Sequence, residues 1–138
     1  MNKQQIIGET VNDFNNTLTT LALNIADTCP GSLIANNISD IQKSINRPQN
    51  FTKFIDLFTA KVLIYKSQID EGNESFFIGK DYKSDLGVKD DSYLNDIISL
   101  KSVWLKLSKE NQKTVIIYMQ ILCALSQNYF DCITNENC

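Results

Sequence analysis

The sequence predicts an all-α protein, folded as a single compact bundle of about five helices with one long loop at about residues 70–91. Apolar residues recur at steps of three and four along most of the chain, as they do on one face of a helix. No segment shows the sustained alternation of apolar and polar residues that a half-buried strand would show. The 138 residues, 43% hydrophobic and 21% charged, suit one globular domain. We place this domain at residues 1–130, with a polar tail at 131–138.

Pro30 and Ser32 separate the first two predicted helices. A residue before a proline disfavours helical geometry, so the first helix should end at Thr28–Cys29. The Ser32 side chain can then cap a second helix, which Pro48 ends. The apolar stripes are Ile7, Val11, Phe14, Leu18, Leu21 and Ile25 in the first helix, and Ile34, Ile38, Ile41 and Ile45 in the second.

The remaining three helices lie on either side of the long loop. Pro48 suits the first turn of the third helix, and an Asp91/Ser92 cap and a Ser108 cap suit the starts of the fourth and fifth. The third helix has a wide stripe, which predicts a central position, and the fifth is apolar nearly all round. The stripes are Phe51, Ile55, Phe58, Val62, Tyr65 and Ile69; Leu94, Ile97, Ile98, Lys101 and Trp104; and Val115, Tyr118, Leu122, Leu125 and Tyr129, with Ile116, Ile117, Met119 and Ile121 beside them.

The stretch WLKLSKENQKTVIIYMQIL, at 104–122, is the most patterned part of the chain. We interpret it as a helical hairpin and not as a reactive site. A short connection makes two helices antiparallel neighbours, so Trp104 and Tyr118 can meet inside the bundle or at its rim. The residues predicted to form the structural core are Trp104, Tyr118, Leu122 and Phe58.

The residue types present exclude several kinds of chemistry. There is no histidine, which removes the commonest general base and the commonest metal ligand. The cysteines form no C-x-x-C pair, so a zinc site is not expected. We predict no catalytic residue, no metal and no cofactor. The four cysteines are Cys29, Cys123, Cys132 and Cys138, and the sequence leaves open whether Cys132 and Cys138 pair.

Two motif-like segments of the loop fail on spacing. A calcium-binding loop that starts at Asp70 needs an oxygen ligand at its third position, where Gly72 stands, and glycine at its sixth, where Ser75 stands. The segment from Gly72 to Gly79-Lys80 has six residues between its glycines, whereas a phosphate-binding loop requires four. Neither site is predicted.

Charge and hydropathy argue against two kinds of partner, nucleic acids and membranes. A net charge of −3, with twelve scattered lysines and one arginine, argues against a nucleic-acid partner. The longest apolar run, 115–125, is far shorter than the ~20 residues that span a bilayer. The N-terminus has no secretory signal pattern. We therefore expect no membrane span, and an intracellular location with reduced cysteines.

Three pieces of the sequence carry a resemblance to a known group. They are Leu21–Ala26 followed by DTCPGS at 27–32, the pair Phe76-Phe77, and SVWLKLSKENQKTVIIYMQIL at 102–122. In these the chain resembles small all-α proteins of nucleocytoplasmic large DNA viruses, the giant viruses of amoebae and algae. The resemblance covers most of residues 21–130. It implies a location in the host cytoplasm or the virion, and it carries no activity with it.

Two hypotheses about function remain. The first is a non-enzymatic structural or protein-interaction protein, such as a virion component or adaptor, that binds a protein partner or itself. Its predicted contact is the apolar triplet Phe76, Phe77 and Ile78, although the same residues could instead anchor the loop on the core. The alternative is a small-ligand-binding bundle or an enzyme that uses acidic residues and tyrosines of region 70–93. Those residues include Tyr82, Tyr93 and the pair Asp90-Asp91, which we otherwise interpret as helix-capping acids.

Overall fold

The structure is a computed structural model that describes residues 1–87 and 93–135. Within these ranges the chain is all-helical and contains no strand, which confirms the predicted fold class. The number of helices differs from the prediction, since the described residues form nine α-helices. They are α1 (Lys3–Thr28), α2 (Leu33–Asn36), α3 (Ile38–Asn46), α4 (Lys53–Lys61), α5 (Lys66–Glu71), α6 (Glu74–Gly79), α7 (Lys83–Leu86), α8 (Leu94–Ile98) and α9 (Lys109–Thr134).

Two long helices, α1 and α9, pack against each other, and the shorter helices pack around them. Both begin at predictable caps: Asn2 and Gln5 form a reciprocal capping box at α1, and the Ser108 side chain accepts a hydrogen bond from the Asn111 N–H at α9. The first helix ends at Thr28 as predicted. The two 26-residue helices therefore provide the frame on which the rest of the chain is arranged.

The predicted second and third helices are each divided. Asn37 separates α2 from α3 with a non-helical backbone, φ −115° and ψ 12°, and its side-chain amide donates a hydrogen bond of 2.9 Å to the Leu33 carbonyl. Turns of 3₁₀ helix at Pro48–Asn50 and Leu63–Tyr65 flank α4. The predicted fourth helix is likewise short, and two 3₁₀ turns, Leu100–Ser102 and Trp104–Lys106, follow α8.

The prediction of a long loop at about 70–91 is wrong for residues 70–87, the part of it that the structure describes. Gly72 ends α5 in the left-handed conformation, with φ of 67°, and α6 and α7 follow it. Helices of four to six residues are too short to show a periodic stripe, which is why the sequence pattern missed them. The predicted Asp91/Ser92 cap and the Asp90-Asp91 pair lie outside the described residues.

The buried side chains form one hydrophobic cluster. Phe58, Leu122 and Trp104 lie fully inside it, whereas Tyr118 is half-buried at its edge. The aromatic ring that Trp104 stacks against belongs to Phe77. The hairpin predicted at 104–122 therefore lacks its first helix. A 3₁₀ turn, Trp104–Lys106, stands there and leads into α9.

Candidate functional site

The predicted contact triplet Phe76, Phe77 and Ile78 lies on α6, which is held against the core. Phe77 is only 3% exposed, and its ring stacks on Trp104 at 5.8 Å between centroids and 8° between planes. Phe76 is half-buried and meets Phe77 edge-on at 5.6 Å. Ile78 is 37% exposed. This arrangement is the anchoring one, in which Ile78 and an edge of Phe76 reach solvent.

A hydrogen bond to Glu74 also holds α6 in place. The Trp104 indole N–H donates to Glu74 Oε1 at 3.0 Å, and the Lys109 ammonium approaches the same oxygen at 3.4 Å. The hydrogen bond from Trp104 and the charge of Lys109 lower the pKa of Glu74 below its ordinary value. Glu74 therefore stays ionised and ties the first turn of α6 to the start of α9.

The most polar cluster in the region 65–87 surrounds Lys80. The Lys80 ammonium lies 2.7 Å from Asp85 Oδ2, 4.0 Å from the centroid of the Tyr65 ring and 5.1 Å from that of the Tyr82 ring. The Tyr65 hydroxyl donates to Asp85 Oδ1 at 2.5 Å. Tyr82 is buried, and its backbone N–H donates to Ser99 Oγ at 3.1 Å. Three side chains, those of Tyr65, Tyr82 and Asp85, thus surround the Lys80 ammonium.

The electrostatics of this cluster do not favour acid–base chemistry. Burial alone would lower the pKa of Lys80, but its hydrogen bonds with Asp85 and Tyr65 outweigh burial and raise the pKa above its ordinary value. The bonds from Lys80 and Tyr65 likewise lower the pKa of Asp85 despite its burial. Burial raises the pKa of Tyr82. A protonated lysine already paired with a carboxylate is a poor base and a poor nucleophile at neutral pH.

Two open clefts each include a residue of the region 70–93, Asp81 in one and Tyr93 in the other. The larger, about 460 Å³, is formed where the end of α1 and α2 face α8 and the following turn. The other, about 370 Å³, is polar and includes Tyr93 and the chain's one arginine, Arg47. The polar residues of the larger cleft are Ser32, Asp81, Asn95, Asp96, Ser99, Lys101 and Ser102.

The sequence interpretation missed an apolar surface on α9. Ile117 is 53% exposed and Ile121 is 39% exposed, and the neighbouring Ala124 is exposed as well. We call these three residues the α9 stripe. A helix that is apolar nearly all round is either central or has a second partner, so the breadth of its apolar surface was the signal that could have found this face. A separate apolar cleft of about 290 Å³ lies between Ile64 and Phe130.

The cysteines and the acidic residues are the next candidates for reactive or metal-binding chemistry. Cys29 and Cys123 are free and buried, and burial raises the pKa of Cys123 to about 12, so its thiol is unreactive at neutral pH. The question of a Cys132–Cys138 pair falls on Cys138, which lies outside the described residues. No group of three His, Cys, Asp or Glu residues within residues 1–87 and 93–135 could hold a metal ion.

Comparisons with known proteins provide no assignment. No family model, no curated protein and no solved structure matches this chain. Among the residues that the structure describes, no helix is long and apolar enough to cross a membrane.

Proposed function

We propose that this chain is a non-enzymatic protein-interaction protein, and that the α9 stripe is its contact surface. The observation that carries the proposal is the exposure of Ile117 and Ile121, one turn apart on a helix whose opposite face is buried. Single exposed apolar residues are common on protein surfaces, but neighbours at i and i+4 form one continuous patch. Fully burying an exposed side chain of this size gains roughly 1.5–3 kcal/mol, and covering the exposed half of Ile117 or Ile121 would gain about half of that.

The rigidity of α9 supports the same function. Its opposite face is held by the core through Val115, Met119 and Leu122, and two side-chain bonds besides the one from Lys109 fasten it to neighbouring helices. The Gln120 amide donates to the Ile69 carbonyl at 3.2 Å, and the Tyr129 hydroxyl donates to Asp56 at 2.5 Å. A preordered helix face loses little conformational entropy on binding, which favours helix-to-helix recognition.

The resemblance to proteins of giant viruses gives this proposal a setting. In that setting the chain acts as a virion component or as an adaptor in the infected cell. The cluster at Lys80 supports a role without catalysis, because the Lys80 ammonium and the Asp85 carboxylate pair with each other and neither is free to react. The compact arrangement of short helices around α1 and α9 suits a protein that presents a fixed surface.

Affinity purification of the tagged chain from its native cell, followed by mass spectrometry, tests the proposal. We expect a protein partner that is captured by the parent chain and lost with the double substitution Ile117→Ser and Ile121→Ser. Leu105→Ser is the matched control, because Leu105 is 87% exposed and lies outside α9. A partner that all three proteins capture equally, or no partner and no self-association at all, would contradict the proposal.

A second candidate function is small-ligand binding in the larger cleft. Its volume of about 460 Å³ lies within the range of small-molecule pockets, and it combines apolar walls with several polar side chains. Native mass spectrometry of the purified chain would test this function. A copurifying small molecule that is lost on Lys101→Ala would support it, and a bare chain in native preparations would not.

A further inference from the structure

We infer that the partner of the α9 stripe is a second copy of this chain, bound antiparallel across a two-fold axis near the middle of α9. This inference rests on the proposed function and gives its partner. It is drawn from two features of α9: the spacing of the stripe and the charges at its two ends. The dimer it describes is isologous, with the same surface used by both copies.

The spacing of the stripe is self-complementary. The three stripe residues and the Asn128 that follows them are spaced at steps of 4, 3 and 4, and all four are exposed on one line of the helix. When two such helices are antiparallel, a two-fold axis between positions 122 and 123 places Ile121 of each copy against Ala124 of the other. The small alanine accommodates the larger isoleucine, and the outer Ile117 covers the stem of the second copy's Asn128.

The charges flanking the stripe select the antiparallel direction. Lys113 and Asp131 are both exposed, and their separation of 18 positions corresponds to five helical turns, so they point the same way about 27 Å apart. Antiparallel pairing brings each Lys113 to Asp131 of the second copy, twice in one dimer. Parallel pairing would bring like charges together at both ends, which is unfavourable.

Within the described part of one chain, neither Lys113 nor Asp131 has an oppositely charged partner. Lys113 forms no ion pair within the described residues, and Asp131 accepts one hydrogen bond, 3.0 Å from the Gln127 amide. Asp131 also stands in the last turn of α9, where the helix dipole favours a cation instead. A partner's Lys113 would offset this local disadvantage. Exposed ion pairs add little affinity, so their role here is to set direction and register.

The first experiment measures self-association of the full chain by sedimentation equilibrium up to about 1 mM. We expect a concentration-dependent dimer for the parent chain and for Leu105→Asp, which changes an exposed residue off the stripe. We expect the double variant Ile117→Asp and Ile121→Asp to be a folded monomer, with an unchanged circular dichroism spectrum. A monomeric parent chain, or a dimer that the double variant retains, overturns the inference.

The second experiment uses charge reversal to test direction. Lys113→Asp and Asp131→Lys should each weaken self-association about tenfold at low salt, because each places like charges together twice. Mixing the two single variants should form a heterodimer in which both charge pairs are restored. The combined variant, carrying both reversals in one chain, should dimerise like the parent. Single variants that associate as strongly as the parent, or a mixture that remains monomeric, overturn the antiparallel arrangement.

The two levels of the proposal fail differently. If the chain stays monomeric while an unrelated protein is captured through the α9 stripe, the second copy is excluded and the proposed function stands. If substitution of the stripe changes neither self-association nor capture, both fail together.

Discussion

At the scale of single residues, Trp104 joins three parts of the molecule. Its ring stacks on Phe77 of α6, and its indole N–H donates to Glu74 at the start of the same helix. Its carbonyl accepts a hydrogen bond from the buried Gln112 amide at 2.9 Å, which links it to α9. A buried residue whose ring is stacked and whose indole N–H and carbonyl are both hydrogen-bonded contributes through packing and through directed bonds.

We therefore expect Trp104→Ala to lower the free energy of unfolding by roughly 3–5 kcal/mol, the usual cost of truncating a buried aromatic side chain. Urea melts of parent and variant measure this difference. Leu105→Ala is the matched control, because the exposed neighbour should change the melt by less than about 0.5 kcal/mol. A loss under about 1 kcal/mol for Trp104→Ala would mean that the stacking and the indole bond add nothing to stability.

The pair Lys80 and Asp85 gives a prediction about pH. The pKa of Asp85 is lowered from its ordinary value of 3.8 in the folded chain, so the folded state binds this proton less readily than the unfolded state does. Its contribution is fully present well above pH 3.8 and is lost as the pH falls through the lower folded value. The stability difference between the parent and Asp85→Asn should therefore be constant from about pH 5 to 7 and shrink below about pH 4. Urea melts of both proteins across this pH range measure the difference. A difference that does not change with pH would contradict the prediction.

At the scale of elements, local signals in the sequence located some helix ends and missed others. Caps such as Ser32 and Ser108 act within three residues, so a sequence pattern can find them, and both accept the expected backbone N–H. The break at Asn37 is a change of backbone conformation between Ile34 and Ile38, whose spacing of four is that of a continuous helix, so periodicity does not show it. Short α6 is held by contacts with Trp104, 27 to 30 residues away, and no local pattern reports them.

Helix α6 provides a prediction that separates anchoring from docking. Phe77 is buried on Trp104, so replacing Phe76 and Phe77 with serine should cost at least about 3 kcal/mol of folding stability. The control Ile78→Ser removes a partly exposed side chain from the same helix and should cost less than about 1 kcal/mol. Thermal or urea melts compare the three proteins. If the serine pair left the melt unchanged while a bound partner was released, α6 itself would be the docking surface.

At the scale of the whole molecule, the sequence could predict the helical class but not where the polar residues meet. Five of the six residues predicted for the α1 stripe are buried and Ile7 is partly buried against the core, because amphipathic periodicity over 26 residues is a strong signal. The cluster of Tyr65, Lys80 and Asp85 depends on turns between short helices, and it contains no motif with fixed spacing. The α9 stripe was hidden because the sequence shows that a helix is apolar all round, but not which side the rest of the chain leaves uncovered.

Helix α1 packs against α9 and also contacts α4 and the turn before it, so much of the core depends on α1. Phe14 of α1 meets Phe58 edge-on at 5.4 Å, and the Asn15 amide donates 2.9 Å to the Phe51 carbonyl. The large apolar side chains that α1 buries, at roughly 1.5–3 kcal/mol each, sum to about 10 kcal/mol, which is comparable to the whole stability of a typical domain. They are Val11, Phe14, Leu18, Leu21 and Ile25.

Deletion of residues 1–28 should therefore abolish cooperative unfolding, leaving a broad, non-sigmoidal loss of circular dichroism signal on heating. The control is Asn2→Ala, which removes the side chain that caps α1 but keeps the helix. It should cost about 1 kcal/mol and preserve one sharp transition. If the truncated chain still melted in a single sharp transition, the remaining helices would form a complete core, and α1 would be an accessory arm free to bind another protein.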